Sequence, residues 1–368
     1  LSVERPDLFS PVNIGNLELR NRLVRSATAE QMASDPVGRA LPALADLYRA
    51  LARGGVGLII TGHAYVAPEG KAHPEMLSAH CDQMLPGLKT LADAAHAAGG
   101  RIAMQINHGG RQCDEECTPQ MVAPSAVPVG SGSAPREMTP AEIVETVDAF
   151  AQAARRAKTA GFDAVQLHGA HGYLIGQFLS PHSNRRTDAW GGDFDGRLRF
   201  LAAVCEAVRG QVGPDYPLFI KLGMMDNLEQ VPDGLTPDDG ARIVARLAGL
   251  GLDAVEVSGG YSGGSDLNIL LAVGTKAPEA YFRPLARRAK AVTDLPVILV
   301  GGLRSRAVMD EVLAAGDADM LSLCRPLIRE PDLPKRLQRG EVTEAACISG
   351  GRCWAKGLGQ GIACRCGD

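Results

Sequence analysis

Apolar residues recur along the chain in two alternating patterns. Alanine-rich segments with helical spacing, such as DAFAQAARRAKTA (148–160) and DDGARIVARLAGL (238–250), run into short unbroken apolar stretches. Three such junctions resemble one another: AGFDAVQLHGA (160–170), LGLDAVEVSGG (250–260) and AGDADMLSLCR (315–325). Each has a glycine, an aspartate near the start of the apolar run, and a polar or glycine-rich end. Helix, tight turn, buried strand and polar loop make the repeating unit of a parallel sheet.

Five more apolar runs read as strands: NRLVRS (21–26), VGLIIT (56–61), RIAMQI (101–106), PLFIKL (217–222) and PVILVG (296–301). With the three junctions they predict eight parallel strands alternating with helices. The expected fold class is therefore α/β, a single (β/α)8 TIM barrel over residues 1–340, with a short cysteine-rich C-terminal tail over 341–368. The uneven intervals argue against a solenoid. An open doubly wound sheet is the competing architecture, but no GxGxxG follows the first strand.

Composition narrows the function. Of 368 residues, 45% are hydrophobic and only 4% aromatic, which suits buried parallel strands rich in small aliphatic residues. A net charge of −4 gives no electrostatic reason to expect nucleic acid or an anionic membrane. No apolar run is long enough to span a bilayer. The N-terminal LSVERPDLF lacks the features of a signal peptide and does not begin with methionine. Nine cysteines, five scattered and four in the tail, suit reduced thiols in a cytoplasmic protein better than a disulfide framework.

In a barrel, chemistry gathers at the C-terminal strand ends. Gly301, Gly302, Cys324 and Arg325 end strands seven and eight, where glycine backbone and a guanidinium suit a phosphate; the alternative is tight turns and a surface charge. Gln105 and Lys221 end strands three and five and could face the pyrimidine of a flavin. Equally, Lys221 could pair with Asp226 or Glu256. Strand four ends in HGAHGYLIGQFLSP (168–181), with His168, His171 and Tyr173 close together. No metal is expected, because HxxH is not a metal-binding helix motif and no second ligand pair stands out. Two neutral imidazoles can instead hold one carbonyl oxygen, polarise a conjugated C=C bond and stabilise the enolate. Tyr173, with an ordinary pKa of about 10, can supply a proton. The bland alternative is a histidine on a backbone carbonyl and a core tyrosine.

These residues sit in longer stretches that resemble the old yellow enzyme family of FMN-dependent NAD(P)H oxidoreductases and ene-reductases. The stretches are LFSPVNIGNLELRNRLVRSAT (8–28), QINHGGRQ (105–112), FDAVQLHGAHGYLIGQFLSPHSNRRTDAWGGDFDGRLRF (162–200), VGGLRS (300–305) and LCRPLIREPDLPKRL (323–337). The bacterial branch shared with 2,4-dienoyl-CoA reductases and trimethylamine dehydrogenase is most similar. The resemblance implies FMN, with NADH or NADPH as reductant and ping-pong hydride transfer to an enone or enoate. It places Ser26, Ala27, Thr28 and His63 along the isoalloxazine edge and Gln105 and Lys221 at its pyrimidine end. Gly301, Gly302, Cys324 and Arg325 fall at the phosphate, His168 and His171 at the substrate oxygen, and Tyr173 at the proton donor. RTDAWGG (186–192) reads as structural.

Three departures stand out. Ala29 replaces a cysteine or threonine that bonds the flavin edge. Cys324 replaces the glycine before the phosphate arginine. In the tail, CISGGRCWAKGLGQGIACRC (347–366), Gly350 fills the second cysteine position of the iron–sulfur relatives. Cys347, Cys353, Cys364 and Cys366 suffice in number for a cluster or zinc, but the spacing is wrong, so neither is expected. The chain is also expected to lack those relatives' further redox domains. Glu30, Gln31, Asn107, His108, Tyr261 and the loop SGGYSGGSDLN (258–268) are expected to border the substrate. A flavin-dependent amine or ring dehydrogenase is the main alternative, and a redox-inactive isomerase or aldolase a more distant one. The natural substrate and any homo-oligomeric state stay open.

Overall fold

A computed structural model describes residues 6–32, 37–118, 120–259, 278–354 and 359–366. Its centre is a closed ring of parallel strands: β1 (Leu23–Arg25), β2 (Leu58–Ile60), β3 (Ile102–Asn107), β4 (Ala164–Gly169), β5 (Leu218–Gly223), β6 (Ala254–Ser258), β7 (Val297–Val300) and β8 (Met320–Leu323). Each strand pairs with the next in sequence, and β8 pairs with β1. Closure excludes the open sheet. All eight sequence-expected strands are present, most of them shorter than the apolar runs that announce them.

Helices cover the outside: α1 (Pro42–Arg53), α2 (Leu85–His96), α3 (Pro140–Thr159), the short α4 (Leu174–Leu179), α5 (Phe194–Val212), α6 (Pro237–Leu247), α7 (Arg283–Lys290) and α8 (Arg306–Ala314). Two short helices, α9 (Arg325–Arg329) and α10 (Leu333–Gln338), follow the last strand. Thr139 and Thr236 begin α3 and α6 with reciprocal caps to Glu142 and Asp239. Each such cap is worth about 1 kcal/mol.

The repeated aspartate has a physical reason. Asp163, Asp253 and Asp319 each precede a strand and accept a hydrogen bond from the first residues of the strand before it. The donors are the backbone N–H groups of Ile102, Leu218 and Val297, each at 2.8 Å. In return each aspartate's own N–H donates to the carbonyl of the same residue. The repeat therefore pins neighbouring strands in register at the bottom of the barrel.

Inward positions change character along the strands. At the bottom, Val24, Leu58, Ile60, Ala103, Ala164, Phe219, Ala254, Ile298 and Met320 form a dry layer. Ile14, Leu17 and Leu19, from an antiparallel hairpin, plug it. Two residues further on, at the next inward positions of a period-2 strand, stand Ser26, Gln105, Gln166, Lys221, Glu256 and Ser322, all buried. The top of the barrel therefore has a polar floor. No helix among the described residues is long and apolar enough to cross a membrane.

Candidate active site

One cavity of about 530 Å³ opens above this floor, within the roughly 300–1,000 Å³ usual for small-molecule sites. Every residue singled out from the sequence as cofactor-binding or catalytic lines it: Ser26, Ala27, Thr28, His63, Gln105, His168, His171, Tyr173, Lys221, Gly301, Gly302, Cys324 and Arg325. The structure brings them together from seven of the eight strand ends.

The floor is a hydrogen-bonded network around Glu256, whose side chain is wholly buried. Its Oε1 accepts from the Ser26 and Ser322 hydroxyls, both at 2.8 Å, and lies 3.2 Å from Lys221 Nζ. Its Oε2 accepts from Gln166 Nε2 at 2.8 Å, and Gln166 Oε1 accepts from Gln105 Nε2 at 2.7 Å. Lys221 Nζ also donates to Ser26 Oγ at 2.7 Å. Lys221 lines the cavity and pairs with Glu256, one of the two acids that the sequence offered as its partner. Asp226 is engaged elsewhere, with Ser180 and the N–H of Leu235.

At the mouth of β4 the chain turns sharply. His171 (φ 59°) and Gly172 (φ 74°) take consecutive left-handed conformations, a strained arrangement for a residue with a Cβ. The turn sets the His168 ring edge-on to His171 at 5.2 Å and to Tyr173 at 4.8 Å between centroids. Burial, then the neighbouring imidazoles and the Lys221 charge, holds His168 well below the ordinary histidine range. Burial and Lys221 lower His171 to about 3. Burial raises Tyr173 above its ordinary value. At neutral pH the site holds two neutral imidazoles and a protonated phenol. The N–H of Ala170 donates to His168 Nδ1 at 3.4 Å, so the His168 proton is assigned to Nε2. His171 Nε2 shares a 2.8 Å bond with Ser258 Oγ.

At the other end, Gly301 (φ 133°) and Gly302 (φ 70°) have backbone conformations that exclude ordinary side chains. Tyr281 packs against both, 3.0 Å from where a Cβ would stand on either. Arg325 lines the cavity beside them, and Cys324 Sγ lies 3.0 Å from Thr28 Oγ1. The donor set fits FMN: an amide and an ammonium at one end, glycine backbone and a guanidinium at the other.

Several expected substrate neighbours are placed elsewhere. The Glu30 side chain turns inward to Arg25 at 3.2 Å and takes bonds from Tyr48 and the N–H of Gly62. Asn107 faces His63 Nδ1 at 2.9 Å, behind the cavity wall. His108 is buried, its Nδ1 accepting from the N–H of Gly110. Gln31 does not line the cavity either. Tyr261, Gly260 and most of the loop 258–268 lie outside the described residues. In RTDAWGG, Arg186 donates to the carbonyls of Pro124 and Met138 and pairs with Asp188, bracing the loop after β4.

Sequence reasoning missed the tail's contribution. Ser349, Gly351 and Trp354 line the cavity, and Trp354 Nε1 donates to the carbonyl of Ala29 at 2.8 Å. Glu330 receives the N–H of Ala346 at 2.6 Å, and Glu75 that of Gly359 at 2.6 Å, so the tail is fastened across the mouth. Tyr281, Phe282, Leu303 and Pro326 were missed as well. All nine cysteines are free. Burial raises the Cys347 and Cys353 thiols, Cys353 to about 12. Among the described residues, no group of three or more His, Cys, Asp or Glu side chains is placed to hold a metal ion.

Known proteins match both chain and fold. The chain is 40% identical to an NADH oxidase of Thermoanaerobacter brockii over 94% of its own length and 52% of that protein's. It is 37% identical to an NADPH dehydrogenase of Geobacillus sp. strain WCH70, over 89% of this chain and 92% of the relative. It thus spans about half the length of the first of these and nearly all of the second. The old yellow enzyme homologue from Zymomonas mobilis superposes with a TM-score of 0.79 at 26% identity, covering 95% of this chain and 98% of that one. The model of the NADH:flavin oxidoreductase / NADH oxidase family matches residues 7–344, and this chain belongs to that family of FMN- and NAD(P)H-dependent oxidoreductases.

Proposed function

We propose that this protein is an ene-reductase that reduces the C=C bond of an α,β-unsaturated carbonyl compound at the expense of NADH or NADPH, in a ping-pong sequence. One observation carries the reading. Two neutral imidazoles and a protonated phenol, held by one turn, share a cavity with the Gln105–Lys221 floor and the Gly301–Gly302–Arg325 end.

The residues divide the work. Gln105 and Lys221 would hold the pyrimidine end of FMN, Ser26, Ala27, Thr28 and His63 its edge, and Gly301, Gly302, Cys324 and Arg325 its phosphate. When bound, FMN would supply the hydride chemistry between the nicotinamide and the β carbon. His168 and His171 donate to the substrate carbonyl oxygen, where negative charge develops, and being neutral they offer N–H donors without taking a proton. Tyr173 gives the proton to the α carbon. Its raised pKa keeps it protonated across the neutral range. Trp354 and Phe282 give the cavity apolar walls suited to a small enone or enoate. The unpaired cysteines suit a reducing, cytoplasmic setting.

The test is anaerobic turnover of 2-cyclohexenone with NADH and NADPH, with product analysis. Cyclohexanone formed in step with nucleotide oxidation, and parallel double-reciprocal plots, are expected. Nucleotide consumption without cyclohexanone would overturn the reading.

A further inference from the structure

Beneath Lys221 lies a carboxylate that the proposed reaction does not use. Glu256 sits on β6 at an inward position, and its side chain is wholly buried. A lone charge buried in this way is strongly disfavoured and is tolerated only when paired and hydrogen-bonded. Here four groups meet that need: the Ser26 and Ser322 hydroxyls, the Gln166 amide and the Lys221 ammonium. All four of those groups have a second tie to the cavity. Ser26, Ser322 and Lys221 line it directly, and Gln166 accepts from Gln105, which lines it too. Every other polar floor residue is thus tied to Glu256 within two hydrogen bonds.

The pairing has an electrostatic consequence. An ammonium beside the pyrimidine end favours the negative charge that two-electron reduction brings there, and so raises the reduction potential. A carboxylate 3.2 Å from that ammonium opposes it, and at this separation in a dry interior the two charges act on a third group nearly as a dipole.

We propose that Glu256 is a positioning residue that both fixes Lys221 against the cofactor and cancels most of its charge, so that the floor beneath the flavin is nearly neutral and the potential is held down. The inference rests on the placement of FMN given above. It makes Lys221 a hydrogen-bond donor of fixed direction rather than a net cation.

The measurement is the FMN midpoint potential of the holoprotein, by anaerobic equilibration with a reference dye, in four proteins: wild type, Glu256→Gln, Lys221→Met and the double variant. Glu256→Gln should shift the oxidised–reduced equilibrium about tenfold toward reduced, about +30 mV for a two-electron couple. Lys221→Met should shift it at least as far the other way. The double variant, which leaves neither charge buried alone, should lie within twofold of wild type. If Glu256→Gln does not retain FMN, the double variant decides by itself: a tenfold fall in its equilibrium constant would mean that the Lys221 charge was never cancelled. An unmoved or lowered potential in Glu256→Gln, beside a lowered one in Lys221→Met, overturns the cancellation and leaves the cofactor placement intact. No shift in any variant overturns both.

Discussion

His73 offers a sharp test of how the barrel mouth handles buried imidazoles. It packs 5.4 Å from the His63 ring, and both of its ring nitrogens are buried without a hydrogen-bond partner among the described residues. Burial, and then the charge of Lys71, lowers its pKa to about 4, whereas in the unfolded chain it titrates near 6.5. Between these values the unfolded chain binds a proton that the folded one does not, so stability rises with pH. The contribution is complete above about pH 6.5 and drains away as pH falls toward 4. From pH 7 to pH 5 this group alone costs about 2 kcal/mol. At pH 7 the unpartnered ring carries a further burden of about 1–3 kcal/mol. His73→Phe fills similar space without polar atoms. It should be more stable than wild type by about 1–3 kcal/mol at pH 7, with the gap widening by about 2 kcal/mol at pH 5. Urea unfolding followed by circular dichroism, with FMN removed from both proteins, reads the difference; bound cofactor would otherwise add its own stabilisation. A gap that is the same at both pH values would refute the burial argument.

Other outcomes follow from the same geometry. Tyr173→Phe should leave flavin reduction intact and slow the oxidative half-reaction by about 10²–10⁴; equal rates in stopped flow would remove Tyr173 as the acid. His168→Ala should weaken a phenolate ligand by about ten- to a hundredfold, the worth of a hydrogen bond to a charged group, and an unaltered charge-transfer band on titration would count against its place at the carbonyl oxygen. Because His171 titrates near 3, the oxidative half-reaction should be flat between pH 5.5 and 8.5, and a break near 6.5 would show an imidazole taking up a proton. Gly62→Ala puts a methyl 1.9 Å from Glu30 Oε2 and 2.5 Å from the Thr28 carbonyl. It should cost about 1–3 kcal/mol and loosen FMN, and an unchanged melting temperature would contradict that.

The barrel was legible because its strands are short runs of aliphatic residues bracketed by glycine and aspartate, and because Asp163, Asp253 and Asp319 repeat for one mechanical reason. Strand ends named the cavity lining well, since a period of two and the C-terminal rule together say which side chains point up and in. Glu30, Asn107 and His108 misled because closeness in sequence to a strand end does not fix direction. Glu30 follows Ala29 into the mouth, yet the Arg25 charge draws its carboxylate back into the wall. The tail was opaque for a different reason. Ser349, Gly351 and Trp354 belong to no periodic element, and only three-dimensional closure sets the Trp354 indole over Ala29. The cysteines around it drew attention to metals rather than to a wall. The Glu256 hub was half visible as one of two candidate partners for Lys221; that it also gathers Ser26, Ser322 and Gln166 depends on strands far apart in sequence.

The central claim, that FMN in this cavity passes hydride from NAD(P)H to an enone, is tested most directly by the visible spectrum of the purified protein under anaerobic conditions. Flavin bands that bleach on adding NADH or NADPH and return on adding 2-cyclohexenone are the predicted result. A colourless protein that takes up no FMN, or flavin bands that bleach and stay bleached with the enone, would contradict it.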